Sequence, residues 1–208
     1  MKLCLCDSRV KIRGVLHVGG HVGEEYPLYK QAGAGPVVFL EPMPHVFAEL
    51  ERLFGKHRDV QLVKKAAGAK AETRDMYVHR GSGESSSFLQ PSALYDGYFE
   101  SQRVPLEVVT LDSLLPTLPR SEEINLLVTD TQGFDMEVLK GSTAILHRID
   151  YVYTEVSKGH YVGEPSLQEF DSFLAPFGFT RAKFEMYGSW KGEDAWGDVF
   201  YTKAGLQL

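Results

Sequence analysis

The chain is poor in cysteine. Two of its 208 residues are cysteine, Cys4 and Cys6, both near the start. That excludes a disulfide framework and a zinc site of the multi-cysteine kind. The pair reads as part of a frayed terminal strand. Long apolar runs are also missing. No stretch nears the roughly 18 residues of a membrane span, and the apolar run at the start is too short for a secretory signal core. The expected compartment is the cytoplasm, with no membrane partner. There is no basic excess either: Lys plus Arg is 22 against 28 for Asp plus Glu, a net charge of −6. Binding that depends on neutralising phosphates needs a basic face, so no nucleic-acid partner is expected. Repeats, low-complexity tracts and linkers are absent, and the 20 glycines and 10 prolines are scattered. A single domain over residues 1–208 follows.

What is present is an alternation of strands and helices. Val15-Leu16-His17-Val18 and Val37-Val38-Phe39-Leu40 are apolar runs of buried-strand type. Residues 60–63, 124–129 and 151–154 give three more such strands. Between them, residues 24–32 read as a helix with acids in its first turn. Residues 44–54 repeat Val46, Phe47, Leu50, Leu53 and Phe54 at helical spacing. Residues 134–147 and 166–177 read as two further helices. Extra strands are expected at 73–79 and around Val104, Leu106 and Val108. Asp112 is placed to cap a short helix through Leu115. Two final extended runs, 179–184 and 199–203, read as an antiparallel hairpin. The pattern predicts a doubly wound α/β sheet with helices on both faces. Residues 81–103 show no period, and an ordered domain seldom carries so long a loop unused. They are read as a lid or binding loop.

In such a sheet, ligands bind at the carboxyl ends of the strands. After the first strand comes His17-Val18-Gly19-Gly20-His21-Val22-Gly23. Glycines there admit a ligand close to the backbone, or simply build a tight turn. Glu41 follows the second strand, about twenty residues past Gly19, where a carboxylate can take both hydroxyls of a ribose. Pro42 and Pro44 fix that turn. No Gly-Lys-Ser/Thr follows the glycines, and His17 stands where a dinucleotide loop has its first glycine. No lysine or arginine lies near the loop to meet a phosphate. A nucleoside without phosphates fits best, and S-adenosylmethionine is the obvious one.

After the fourth strand comes Asp130-Thr131-Gln132-Gly133. Asp130 could orient a ligand amine, act as a base or cap the next helix. Glu155 ends the fifth strand at the same side of the sheet. Spacing fixes no further ligand for a metal, so no metal site is predicted.

These segments, taken in order, resemble the FkbM family of S-adenosylmethionine-dependent methyltransferases. That family has a Gly-Ala-x-x-Gly loop, then Glu-Pro-x-Pro, Thr-Leu-Asp, and a block like Asp-x-Gln/Glu-Gly-x-Glu-x-x-Val-Leu-Lys-Gly. Here stand Gly19-Gly20-His21-Val22-Gly23, Glu41-Pro42-Met43-Pro44, Thr110-Leu111-Asp112 and Asp130-Thr131-Gln132-Gly133-Phe134-Asp135-Met136-Glu137-Val138-Leu139-Lys140-Gly141. Ser85-Ser86-Ser87, Thr154-Glu155-Val156 with Tyr161, and Trp196-Gly197-Asp198 add to the set. The likeness spans residues 15–203, the expected core. It implies a class I methyltransferase fold, Rossmann-like, with a seven-stranded sheet and a reversed last hairpin. By position, His17 and Gly19 to Gly23, with His21 among them, would face the methionine portion. Glu41 and Pro42 would meet the ribose, Ala66 and Ala67 the adenine, and Asp130, Thr131 and Gln132 the methyl group. Ser86, Ser87 and Tyr161 would meet the acceptor. His17 departs from the family, which carries an acid at that position. Family members mostly methylate hydroxyls of sugars or polyketide-type molecules, so the expected acceptor is a small molecule or carbohydrate.

The expected chemistry is in-line methyl transfer to a hydroxyl, which rests mainly on positioning. The candidate bases rank Asp130, Glu155, His160; histidine has a suitable ordinary pKa. Substrate selection is expected from residues 81–103, 158–166 and 187–196. Phe88, Tyr95 and Tyr98 are assigned to the lid, and Trp196 to packing on the final strand. Two other readings stay open: an oxidoreductase or epimerase using NAD, and a methyltransferase-like domain that binds without turnover.

Overall fold

The computed structural model describes residues 7–81, 85–95, 97–190 and 193–206. Cys4 and Cys6, Ser82 to Glu84, and the side chains of Tyr95 and Trp190 lie outside what is described.

Apolar runs without a polar break become strands buried on both faces. They are β1 (Gly14–Val18), β2 (Val37–Leu40), β3 (Val60–Val63), β7 (Ile124–Thr129) and β8 (Tyr151–Ser157). With β9 (Phe179–Trp190) and β10 (Glu193–Lys203) they form a seven-stranded sheet in the order β3-β2-β1-β7-β8-β10-β9. The first five run parallel, and β10 is antiparallel to both neighbours. This is the expected doubly wound sheet with a reversed hairpin. The hairpin is longer than expected, so most of residues 187–196 lie in strands.

Alternate residues serve opposite faces. Leu16, Val38, Leu127 and Val152 pack with Leu111, Leu139, Phe170 and Leu174. Those come from α3 (Leu111–Leu114), α4 (Asp135–Lys140) and α5 (Leu167–Leu174). Val15, Val37, Phe39, Leu126 and Val128 pack on the other side with Tyr29 and Leu50. Those belong to α1 (Tyr26–Gln31) and α2 (Pro44–Phe54). A three-stranded sheet stands apart, ordered β4-β6-β5: β4 (Ala66–Ala67), β5 (Glu72–His79) and β6 (Phe99–Val109). It contributes Ala66, Met76, Leu106 and Val108 to a third cluster with Met43, Val46, Phe88 and Phe134.

Local chemistry sets the ends. Ser166 and Glu169 form a reciprocal capping box on α5. Thr110, not Asp112, caps α3: its hydroxyl accepts from Ser113 N at 3.2 Å. Asp112 instead accepts from Ala144 N and Ile145 N, each at 3.0 Å, and so fixes the turn after α4. The expected helix over 134–147 stops at Lys140. A Cβ on Gly141 would lie 2.0 Å from Gly68 O, so the chain passes flush against its neighbour there. The expected loop 81–103 is shorter. Its last residues belong to β6, and Ser87 bridges back to Tyr77. Among the described residues, no helix is long and apolar enough to cross a membrane.

Candidate functional site

Register assembles the site. Val18 pairs with Leu40 and with Thr129, and Thr129 pairs with Thr154. The next residues, Glu41, Gly19, Asp130 and Glu155, therefore lie in one row on adjacent strands, the first three just past their strand ends and Glu155 still within β8. Asp198 on β10 is paired to Glu155 and extends the row. A cavity of about 330 Å³ opens beside this row. His17, Gly19, Glu24, Glu25, Glu41 and Asp130 supply one part of its lining, and Met43, Val46, Ala66, Ala67, Phe88 and Phe134 an apolar part. Its size is that of an ordinary small-molecule site.

Glu41 is buried and held rigidly. Its Oε1 accepts from Met43 N at 2.8 Å and its Oε2 from His21 N at 3.2 Å. Loss of hydration raises its pKa to about 7, against the pull of those amides. Each oxygen keeps a second lone pair for a ligand hydroxyl.

The glycine loop serves the fold more than the cavity. Gly19 has φ +80°, and a Cβ there would sit 1.8 Å from Asp130 O. Gly20 and Gly23 do not line the cavity; a Cβ on them would meet the rings of Phe39 and Phe54. Close packing of the turn accounts for both glycines. His17 does line the cavity. Its Nδ1 lies 3.0 Å from the Tyr29 hydroxyl and 3.9 Å from Glu25 Oε2. Burial lowers its pKa to about 4, so the ring is neutral at pH 7. His21 Nδ1 pairs with Glu24 Oε1 at 2.8 Å.

The β7 end is densely bonded. Gln132 Nε2 donates to Asp130 Oδ1 at 2.8 Å and to Glu155 Oε2 at 3.2 Å. Tyr161 Oη donates its one hydrogen to Ser85 O at 2.8 Å and lies 3.3 Å from Gln132 Oε1. The Ser87 hydroxyl donates to Gln132 O at 2.7 Å. Asp130 lines the cavity and is exposed there. The protein around it raises its pKa by partial loss of hydration, and the Gln132 bond opposes that rise. Glu155 is raised well above the carboxylate range, first by burial and then by Asp130 and Asp135. Thr131 N donates to Asp135 Oδ1 at 3.1 Å, while Thr131 Oγ1 has no partner among the described residues.

Several expected contacts lie elsewhere. Ser87 is fully buried, with its hydroxyl committed to the Gln132 carbonyl, and Tyr161 is committed to Ser85. Neither lines the cavity. His160 is buried against Trp196, ring centroids 5.6 Å apart, and is also outside the lining. Pro42, Ala66, Ala67, Ser86, Thr131 and Gln132 do line it. Phe88 is wall rather than lid, packed 5.1 Å from the Phe134 ring. Tyr98 is exposed and stacks on His79. The sequence reading missed Glu24, Glu25, Lys65 and Met76 in the lining. Only the glutamates had a signal, as acids just after the loop. Among the described residues, no group of three acids, histidines or cysteines is arranged to hold a metal.

The family model for the FkbM methyltransferase domain matches residues 17–185, most of the chain. The chain belongs to the FkbM methyltransferase family. No curated protein matches it. Among solved structures, it is similar in fold to magnesium protoporphyrin IX methyltransferase from Synechocystis PCC 6803 with bound SAM. The TM-score is 0.56 at 10% identity, covering 98% of this chain and 76% of that one. It is also similar to a putative tRNA (m1A22) methyltransferase of Streptococcus pneumoniae, in complex with S-adenosyl-L-methionine (TM-score 0.56, 7% identity, 100% and 73% covered). A third is precorrin-6y C5,15-methyltransferase from Geobacter metallireducens GS-15 (TM-score 0.52, 12% identity, 97% and 86% covered). The FkbM domain here has the Rossmann-like methyltransferase fold, and its cofactor is S-adenosylmethionine. The cavity chemistry fits that molecule. A rigid buried carboxylate and an apolar wall suit a ribose and a flat base.

Proposed function

We propose that this FkbM methyltransferase methylates a hydroxyl oxygen on a small hydroxylated acceptor such as a sugar, with residues 1–208 acting as one domain in the cytoplasm. One observation carries the reading: the Asp130 carboxylate opens into the cavity from the end of the central strand β7.

S-adenosylmethionine, when bound, supplies a methyl group on a sulfonium centre. Glu41 accepts the ribose hydroxyls with oxygens already fixed by two backbone amides. Ala66, Ala67, Met43 and Val46 exclude water from the adenine. The carboxylates of Glu25 and Asp130 favour the cationic end. Asp130 takes the acceptor proton, and a carboxylate with a raised pKa is a better base near neutrality. Glu155, tied to Gln132, sits behind it.

Charge supports a small neutral acceptor over a nucleic acid. Among the described lining residues, Lys65 alone is a lysine or arginine, and its Nζ lies 2.5 Å from Glu107 Oε1. Glu24, Glu25, Glu41 and Asp130 oppose a polyphosphate.

Methyl transfer from radiolabelled cofactor to a panel of hydroxylated acceptors tests the reading. Asp130→Asn should lose turnover by about 100-fold or more, a larger loss than the roughly tenfold fall in S-adenosylhomocysteine affinity expected from removing one of the two carboxylates at its cationic end. Full activity in that variant removes Asp130 from the mechanism. His17 in the place of the family's acid favours a second reading, binding without turnover. Titration of S-adenosylhomocysteine with no acceptor methylated by any panel member would support it.

A further inference from the structure

Gln132 is the most constrained polar residue at the site. Its backbone is left-handed, φ +56°, a conformation uncommon outside glycine. Such a residue persists only when its surroundings over-determine it, and such residues cluster at functional sites. Three groups hold it. Ser87 grips its backbone carbonyl, while Asp130 and Glu155 take its amide hydrogens. The partners come from three places: the loop after β5, the residue after β7 and the body of β8.

We propose that Gln132 is a positioning residue: its carboxamide ties Asp130 to Glu155 and holds the Asp130 carboxylate toward the cavity. Two acids side by side on adjacent strands, Asp130 just after β7 and Glu155 within β8, repel each other when both are ionised. One amide with two N–H groups satisfies both at once. This commits the Gln132 side chain within the protein and assigns it no contact with the cofactor. The inference rests on the reading that Asp130 faces the transferred methyl.

The consequence is electrostatic. Hydrogen bonds to an ionised carboxylate favour that form, so the amide keeps Asp130 ionised to lower pH than burial alone would allow. The other titratable groups facing the pair are His17 and His21 from the β1 turn, Glu25 at the start of α1, Asp135 from α4, Glu164 after β8 and Asp198 on β10. None of them offers the pair an amide donor, so a change at Gln132 is read against a constant background.

The test is a pH titration of the full chain, free of cofactor, with carbon-13 in the side-chain carboxyls of Asp and Glu. Asp130 is assigned by its loss in Asp130→Asn. Gln132→Met keeps length and removes both donors; the Asp130 midpoint should rise by about one pH unit, a tenfold gain in proton affinity. Gln132→Leu also removes both donors and should move the midpoint the same way. If Gln132→Met does not fold, Gln132→Leu decides alone. Midpoints unmoved in the folded variants overturn the proposal. The readout needs no acceptor. A shifted midpoint together with full methyl transfer by Asp130→Asn would sink the assigned base and leave the bridge standing.

Discussion

Replacing Gly19 with alanine should damage this protein far more than one methyl group suggests. Gly19 has φ +80°, and the added Cβ would lie 1.8 Å from Asp130 O and 2.8 Å from the carbon of that carbonyl. The left-handed conformation costs about 1 kcal/mol for alanine. Forcing a methyl into a packed site costs roughly 2 kcal/mol more. About 3 kcal/mol lowers the melting temperature of a chain this size by about 6–12 °C. Gly33→Ala is the control. Its φ is +77°, and nothing lies within 4 Å of the Cβ position, so only the conformational cost applies. That variant should lose about 2–4 °C. Thermal melts by circular dichroism measure both. The atom that Gly19→Ala displaces belongs to Asp130, so affinity for S-adenosylhomocysteine should also fall about tenfold, while Gly33→Ala keeps it. Coincident melts of the two variants would refute the reasoning, because the close approach of β1 to the turn after β7 would then carry no energy.

Two further outcomes concern pH. Burial raises Glu41 to about 7, and an ionised carboxylate is the better acceptor of ribose hydroxyls. Affinity for S-adenosylhomocysteine should rise about tenfold from pH 6 to pH 8, and calorimetry should find that rise absent in Glu41→Gln; the same pH profile in both proteins would contradict the assignment. Asp135, fully buried, is raised from 3.8 to about 7, first by burial and then by Asp130. The unfolded chain ionises it from about pH 4 upward while the folded chain keeps it protonated, so its contribution is intact below pH 4 and is lost as pH rises through 7. Asp135→Asn should therefore melt higher than the parent at pH 8 and no higher at pH 4, and a lower melt at pH 8 would reverse the sign of this account.

Much of the frame was legible because its signals are local. Runs such as Val37 to Leu40 announce strands buried on both faces, and the order of elements then fixes which ends carry Glu41 and Asp130. What the sequence hid depends on contacts between distant segments. Gly141 ends α4 because it passes against Gly68, and no helical periodicity reports that neighbour. Gly20 and Gly23 look like ligand glycines in sequence, yet Phe39 and Phe54 fill the space a side chain would take. The triplet Ser85-Ser86-Ser87 splits three ways. Ser86 faces the cavity, Ser87 is fully buried on Gln132, and Ser85 offers its carbonyl to Tyr161. Met76 and Lys65 line the cavity with no motif to mark them.

The three-stranded sheet has a consequence for how this enzyme can change. It shares no ladder with the seven-stranded sheet, yet Met76 and Ala66 on it, with Phe88 from its connecting loop, wall the same cavity. The strand ends that place Glu41 and Asp130 belong to the other sheet. Part of the shape is thus written on a different backbone lattice from the chemistry. Substitutions in one can reshape the chamber while the hydrogen-bond ladders of the other stay fixed. For a designer seeking a new acceptor range, the small sheet and its loop are the dial to turn, and the row of strand ends is the part to leave alone.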